Sequence, residues 1–495
     1  MSRCPLPPLL SLFLCCAGAL HAHAQPALGQ GIMAGEVTAD SVLLQTRLTD
    51  GSALVDGEHF DDGDALRDGD LPGCDGYVRW VISTDPTFLV NDLIHTGPWL
   101  RALPEHDYVV RHQITGLAPG TTYYYRADYA TDVEQVVLTQ EDHVGTFTTL
   151  HGEDAAAPTR IHIVTGLNYD RFYAPEGYTG DDRAEGFPAC DAMLALDPDL
   201  LIFTGDDVYY DKPPDAETLA DMRAKWHRQF SRPRMAALLA SVATYWEKDD
   251  HDFRYNDSDL TRDRFPSAEL GIATFREQAP IVAQDDHETP TYRTHRVSRD
   301  LQIWLVEGRD YRSANRDEDG PGKTLWGAEQ RDWLMRTLLE SDATFKLLIS
   351  PTPLLGPDDA YKRDNHANLD GFRHEGEAFI TWAQDEGLWD AGLAIVCGDR
   401  HWQYHSVHPS GAHEFSCGAI CDANSRLGRH PGDENSTDPA GELTQPYRQA
   451  QASGGFLSLV VTPADDADGE GAAASIRYEF YDERGELLYR YTNQE

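Results

Sequence analysis

Three short, largely apolar runs, each followed by a cluster drawn from aspartate, histidine and tyrosine, constrain this chain more than anything else in it. Leu200-Leu201-Ile202-Phe203 leads into Thr204-Gly205-Asp206-Asp207-Val208-Tyr209. Ala243-Thr244-Tyr245-Trp246 precedes Asp249-Asp250-His251-Asp252, and Leu393-Ala394-Ile395-Val396-Cys397 runs into Gly398-Asp399-Arg400-His401. Four or five apolar residues bounded by turn formers predict buried strands. In α/β proteins sites form beyond the carboxyl ends of such strands. The chain is therefore expected to fold around a sheet with three polar clusters at its mouth.

Between these runs the pattern alternates. Strands are predicted at Ile161–Thr165, Leu200–Thr204, Ser241–Trp246, Leu301–Val306, Phe345–Ser350 and Leu393–Cys397, and helices at Phe187–Leu196, Ala216–Phe230, Trp326–Leu339 and Glu375–Trp389. This is an α/β pattern, and it spans 158–495. Period-two segments at Gly455–Val461 and Ile476–Tyr481 predict an outer sheet layer on the same domain. Residues 30–150 read differently, as short alternating strands separated by Gly, Asp and Pro turns. Ile114-Thr115-Gly116-Leu117-Ala118-Pro119-Gly120 and the tyrosines 123–125 resemble a fibronectin type III sandwich, in which a tyrosine ties a corner to the backbone. This module is expected to be a scaffold without chemistry, joined to the rest by a polar linker at 151–158.

The 495 residues carry 83 acidic and 41 basic side chains, a formal charge of −42. Such a surface is a poor match for nucleic acid, whose phosphates demand basic contacts. No internal apolar run is long enough to span a bilayer. Residues 1–24 read as a cleavable export signal, with Arg3, the apolar stretch Leu9–Leu20 and the small-x-small site Ala22-His23-Ala24. Cleavage would remove three of eight cysteines and leave Cys74, Cys190, Cys397, Cys417 and Cys421, an odd number in an oxidising compartment. Cys417 and Cys421 are the nearest pair in sequence.

The three clusters contain what a two-metal hydrolase needs. One carboxylate must bridge cations about 3.5–4 Å apart, each cation needs further ligands, and a proton donor must serve the leaving group. Asp206 suits the bridge, and Tyr209 reaches one cation from the same turn; a phenolate is a hard ligand suited to a trivalent ion. Asp250 suits the second cation, and His251 the acid. Asp399 and His401, two apart on an extended segment, are expected to point the same way and face one cation each.

The order Gly-Asp-x-x-Tyr, Asp-Asp-His-Asp, Gly-Asp-Arg-His resembles the calcineurin-like metallophosphoesterase superfamily, and within it the alkaline phosphatase D family. Leu196-Asp197-Pro198-Asp199-Leu200, Glu329–Leu334, Phe345–Pro353 and Gly454–Ser458 support the match, which covers roughly residues 30–490. The resemblance implies a two-layer mixed sheet sandwich flanked by helices, an Fe(III) ion at Tyr209 and His401, and a divalent ion (Ca, Mg, Mn or Zn) at Asp250 and Asp399. It also implies Asp206 as the bridge, His251 as the acid, and a small phosphate ester as substrate. The chain departs from the family at Thr165-Gly166, where a cysteine is usual, although Asn168 and Tyr169 match and Asn168 is a candidate substrate contact. Further candidate anion contacts are Arg254 and the segment with Lys362, Arg363, Asn365 and His366. Two alternatives stand beside this reading: sulfate-ester or phosphonate hydrolysis on the same scaffold, and a catalytically silent exported binding protein.

Overall fold

The computed structural model describes residues 1, 26–54, 69–133, 144–464 and 472–494. The export segment with its three cysteines and most of the acidic stretch 61–75 lie outside the described residues.

Two sheets face each other. The larger has nine strands, in the order Leu487–Gln494, Ser475–Asp482, Gly455–Thr462, Thr159–Val164, Leu200–Thr204, Ala243–Glu247, Ile32–Gly35, Ser41–Arg47 and Val109–Thr115. The other has seven, in the order Arg293–Arg296, Leu301–Leu305, Phe345–Ser350, Leu393–Cys397, His413–Cys417, Gln403–Val407 and Thr444–Arg448. The middle of each is parallel: Thr159–Val164, Leu200–Thr204 and Ala243–Glu247 in one, Leu301–Leu305, Phe345–Ser350, Leu393–Cys397 and His413–Cys417 in the other.

These central strands are apolar on both faces because both faces are covered. Ile161, Ile163, Ile202 and Tyr245 point between the sheets, where they share a core with Ile303, Leu347, Ile349 and Val396. The alternate residues Leu201, Phe203 and Trp246 point outward onto Met193, Met222, Trp226 and Leu238 of the helices Pro188–Ala195, Leu219–Phe230 and Pro233–Ser241. On the far side Trp304, Leu348 and Ile395 meet Leu334, Leu338 and Phe379 of Ala328–Glu340 and Arg373–Asp385. Each such fully buried side chain contributes on the order of 1.5–3 kcal/mol.

Some expectations are corrected. The strand expected from Ser241 starts at Ala243, because Pro233–Ser241 is a helix with proline in its first turn. A helix at Ala268–Gln278 was not expected, although Ser267 caps it by accepting from the Leu270 N–H at 3.2 Å. The strands of residues 30–150 divide between sheets. Gly76–Ser83, Thr122–Ala130 and Gly145–Thr148 belong to a separate sheet, but Ile32–Gly35, Ser41–Arg47 and Val109–Thr115 continue the nine-stranded one through the parallel pairing of Gly35 with Thr244. A Cβ at position 35 would lie 2.5 Å from the Pro280 carbonyl oxygen, so glycine permits the junction. Alternation along a strand reveals its faces but not the neighbour its edge will choose. The tyrosine run does form its corner: the Tyr123 hydroxyl accepts from the Ala118 N–H at 2.9 Å. The five described cysteines are free and buried, so Cys417 and Cys421 are not bonded.

Candidate active site

The three clusters sit at the carboxyl ends of parallel strands, two from the first sheet and one from the second. Gly205, Asp206 and Asp399 all take left-handed backbone, with φ of 85°, 59° and 56°. For the two aspartates this conformation costs on the order of 1–3 kcal/mol, and such strain concentrates where a side chain must be aimed. Gly398 lets the two sheets meet, since a Cβ there would stand 2.5 Å from Thr204 Oγ1. Asp399 and His401 therefore reach the site through a turn rather than the extended segment expected from their spacing.

Asp206, Tyr209 and His401 converge. Tyr209 donates its O–H to Asp206 Oδ2 at 2.9 Å, and His401 Nε2 lies 3.0 Å from the same oxygen and 3.3 Å from the phenol. Ligand atoms on a cation with bonds near 2 Å stand about 3 Å apart, so this triangle has the dimensions of a coordination set. Asp206 Oδ1 is buried with no hydrogen-bond partner among the described residues, leaving its second oxygen for another cation. Ligand atoms of Asp206, Asp250 and His251 also lie within 4.8 Å of one another. The residues present thus fit a pair of metal ions.

The structure sorts the three aspartates of the second cluster. Asp249 is fully buried and bonded to Arg309, whose Nε donates to Asp249 Oδ1 at 2.9 Å. Asp252 accepts from the Asp249 N–H at 2.7 Å and closes the turn. Asp250 alone faces the cavity. His251 presents Nε2, 4.0 Å from Asp250 Oδ1, while Nδ1 lies 2.5 Å from Asp211 Oδ1. Asp211 is held in turn by the Asn256 N–H at 3.0 Å. Sequence reasoning missed Asp211, although a histidine acting through one nitrogen needs an acceptor on the other.

A cavity of about 310 Å³ opens over these groups. Asn168, Asp206, Tyr209, Asp250, His251, Asp399 and His401 all line it. So do four cations, Arg171, Lys212, Lys362 and Arg426, an anion-attracting rim on a strongly acidic chain. Of these only Lys362 was anticipated; nothing in the local sequence marks Arg171 or Arg426. Asn424 was also missed. Asn168 Oδ1 accepts from the Arg171 N–H at 3.0 Å, so its Nδ2 must donate to Asn424 Oδ1 at 3.2 Å. Asn424 Nδ2 then points at the Tyr209 oxygen and the Gly166 carbonyl, each at 3.0 Å. A Cβ on Gly166 would approach Asn424 Nδ2 to 3.3 Å, so this amide fills the space beside the missing cysteine.

Three expected substrate contacts lie elsewhere. The Arg254 guanidinium is fully buried and spent on five carbonyls, those of Asp259, Thr261, Arg262, Arg264 and Pro266. Asn365 Nδ2 donates to Asp358 Oδ2 at 2.8 Å, and His366 Nε2 lies 3.0 Å from Glu375 Oε2 against the Trp326 ring. Both are buried. Polar residues in a loop beside the site look alike in sequence whether they brace the loop or face the ligand. Arg363 pairs with Asp370 at 3.0 Å on the surface.

Three buried carboxylates in one cavity would repel strongly without cations. Burial pushes Asp206 up, but the His251 charge and the His401 bond override it and hold it at about 2. Burial likewise raises Asp399, and the Arg400 and Lys362 charges hold it well below the carboxylate range. Asp250 ends raised, burial outweighing His251 and Arg309. His251 is pushed up to about 9: burial opposes its charge, and Asp250, Asp206 and Asp211 overcome burial. Cations on the first two carboxylates would weaken their share and leave that of Asp211.

A sequence model described as PhoD-like phosphatase matches residues 172–454, and one described as PhoD-like phosphatase, N-terminal domain, matches residues 15–151. Alkaline phosphatase D of Bacillus subtilis (strain 168) is 22% identical over 413 residues, which span 76% of this chain and 64% of that protein. A solved structure of PhoD superposes with a TM-score of 0.69 at 18% identity, over 94% of this chain and 90% of that one. The purple acid phosphatase PPD1 from yellow lupin (Lupinus luteus) superposes with a TM-score of 0.57 at 11% identity, over 95% of this chain and 74% of that one. On the match of its larger part, the chain belongs to the PhoD-like phosphatase family.

Proposed function

We propose that this protein is an exported, metal-dependent phosphoric ester hydrolase. The observation that carries the reading is the triangle of Asp206, Tyr209 and His401, three donor atoms within 3.3 Å of one another drawn from residues as far as 195 apart in the chain. Asp206, Tyr209 and His401 would hold the first metal ion, and Asp250 and Asp399, together with Asp206, the second. An Fe(III) ion suits the phenolate, and a divalent ion the carboxylates. Bound there, the ions supply charge for the phosphoryl oxygens and a nucleophilic water at neutral pH.

The residues of the chain do the rest. Arg171, Lys212, Lys362 and Arg426 draw the anionic ester into the cavity, and Asn168 lies among them for a phosphoryl oxygen. His251 stands with Nε2 toward the cavity and its other nitrogen fixed by Asp211. The ester takes up the elements of water: hydroxide joins phosphorus, the bond to the alcohol oxygen breaks, and the His251 proton goes to that oxygen. The amino-terminal signal read from residues 1–24 supports export; among the described residues no helix is long and apolar enough to cross a membrane.

Metal analysis of protein purified without chelator, with a panel of aryl phosphate, phosphodiester, phosphonate and sulfate esters, tests the proposal. Asp206→Asn is expected to lose at least one metal equivalent and phosphatase activity, because a neutral amide bridges two cations poorly. Wild-type turnover by that variant, or a wild type that cleaves the sulfate and spares the phosphates, overturns it.

A further inference from the structure

Asp399, one of the two carboxylates assigned to the second metal ion alone, is itself held. Its Oδ2 accepts from Nη2 of Arg400, a fully buried side chain. Arg400 Nη1 donates to Oδ1 of Asp358, which is fully buried as well. The guanidinium thus joins two carboxylates, of which Asp399 lines the cavity and Asp358 does not.

Asp358 is fixed through both of its oxygens. Besides Arg400, Oδ1 accepts from the Asp359 N–H at 2.6 Å, and Oδ2 accepts from Nδ2 of Asn365 and of Asn368, both at 2.8 Å. Neither amide can turn round. Asn365 Oδ1 accepts from the Ala367 N–H at 3.0 Å, and Asn368 Oδ1 from the N–H groups of Asp364 and Asn365 at 2.8 and 3.1 Å. Four donors therefore meet at residue 358, and an ionised carboxylate is the side chain that accepts on both oxygens. The next residue, Asp359, pairs with the rim cation Arg426 at 3.1 Å, so the same loop reaches the site at a second point.

Charge explains why two acids share one arginine. A buried guanidinium requires a counter-ion. With Asp399 as its sole partner the pair would be neutral, and little charge would remain for a cation. With Asp358 added the set carries one net negative charge, and the carboxylate placed to share it with an ion is the one that lines the cavity. Orientation follows from the same bonds: Arg400 takes Oδ2, so Oδ1 is the oxygen left for a ligand bond.

We propose that Asp358 is a positioning residue of the metal centre, acting through Arg400 to fix the Asp399 carboxylate and to preserve its charge for the second metal ion. The inference rests on the reading of this cavity as a two-metal centre and adds the device that sets affinity at one of its two sites. It also gives the segment around Asn365 a role, as the brace of Asp358 rather than a contact to substrate.

The test measures metal affinity of the full chain by competition with a chelator, using manganese(II), calcium and zinc in turn, with metal analysis on the same samples. Asp358→Asn keeps the volume and removes the charge. It is expected to bind the divalent ion about 10–100-fold more weakly than the wild type, while the metal at Tyr209 and His401 stays bound. Saturating divalent ion should restore most of kcat on 4-nitrophenyl phosphate. Arg400→Lys keeps the charge, but one ammonium cannot reproduce the planar fork that joins both carboxylates. The same selective weakening is expected there, and this variant decides the matter if Asp358→Asn does not fold. Unchanged divalent affinity in either folded variant overturns the positioning role. So does a loss of both metals that excess ion does not restore, or failure of both variants to fold, since each makes the network a support of the fold alone. A wild type that holds no metal overturns the two-metal reading and this role with it.

Discussion

Asp211→Asn tests the proposed proton donor, His251, separately from the proposed metal ligands. The substitution is isosteric, and its amide oxygen can still accept the Asn256 N–H that holds residue 211 in place. It removes one thing, a charge-assisted hydrogen bond to Nδ1 of a buried imidazole at 2.5 Å. Such a bond to a charged group contributes about 1.5–3 kcal/mol, which is about one to two pH units on His251 and about 10–150-fold in any step that uses its proton. The proton matters most when the leaving alkoxide is strongly basic. For an alkyl phosphate, kcat/KM should fall by about 10–150-fold; for 4-nitrophenyl phosphate, which leaves unaided, it should stay within about threefold. The sign in pH follows. The acid works below its pKa and fails above it, and Asp211 holds that pKa up, so the alkaline limb of the alkyl phosphate profile should move to lower pH by about one to two units. The assay is kcat/KM against pH for both esters, with metal content measured on the same samples. Equal losses on the two esters, or an alkaline limb that stays where it was, would refute a proton-donating role for the His251–Asp211 pair.

His251→Ala is expected to retain both metals while losing more rate on alkyl than on nitrophenyl esters; loss of a metal equivalent would make it a ligand instead. Tyr209→Phe should abolish the visible phenolate-to-iron absorption of iron-loaded protein, and a band that persists belongs to another group. His162, fully buried in Thr159–Val164 against Phe456, is held down at about 3 by burial and then by the Arg160 charge. The unfolded chain therefore takes up this proton first, and its share of stability, present above about pH 6.5, is lost as pH falls toward 3, about 4–5 kcal/mol in all. Urea midpoints against pH should show a shallower acid limb in His162→Phe, and identical limbs would contradict the assignment.

Much of this was legible in the chain. Leu200–Thr204, Phe345–Ser350 and Leu393–Cys397 were delimited to the residue, because strands buried on both faces read as near-continuous apolar runs, and these three stop at glycine or proline. The aspartates, tyrosine and histidines after them were identifiable because the order of clusters is itself a pattern. Within a cluster the sequence was mute. Asp249, Asp250 and Asp252 are chemically identical, and separating ligand from brace required knowing that Arg309, from a loop 60 residues away, stands against the first and that the turn closes on the third. Arg254 and Asn365 failed as substrate contacts for the same reason.

Covalent order thus sufficed for the strands, the candidate ligands and the kind of chemistry, since each depends on residue type at short range. Packing supplied the remainder: Asp211 behind His251, Asn424 behind Tyr209, and the cations Arg171 and Arg426 at the rim. Those arise where segments distant in sequence are pressed together by two sheets sharing one apolar core. The joining of Ile32–Gly35 to Ala243–Glu247 belongs there too, because an edge strand's backbone groups accept any partner that geometry brings alongside.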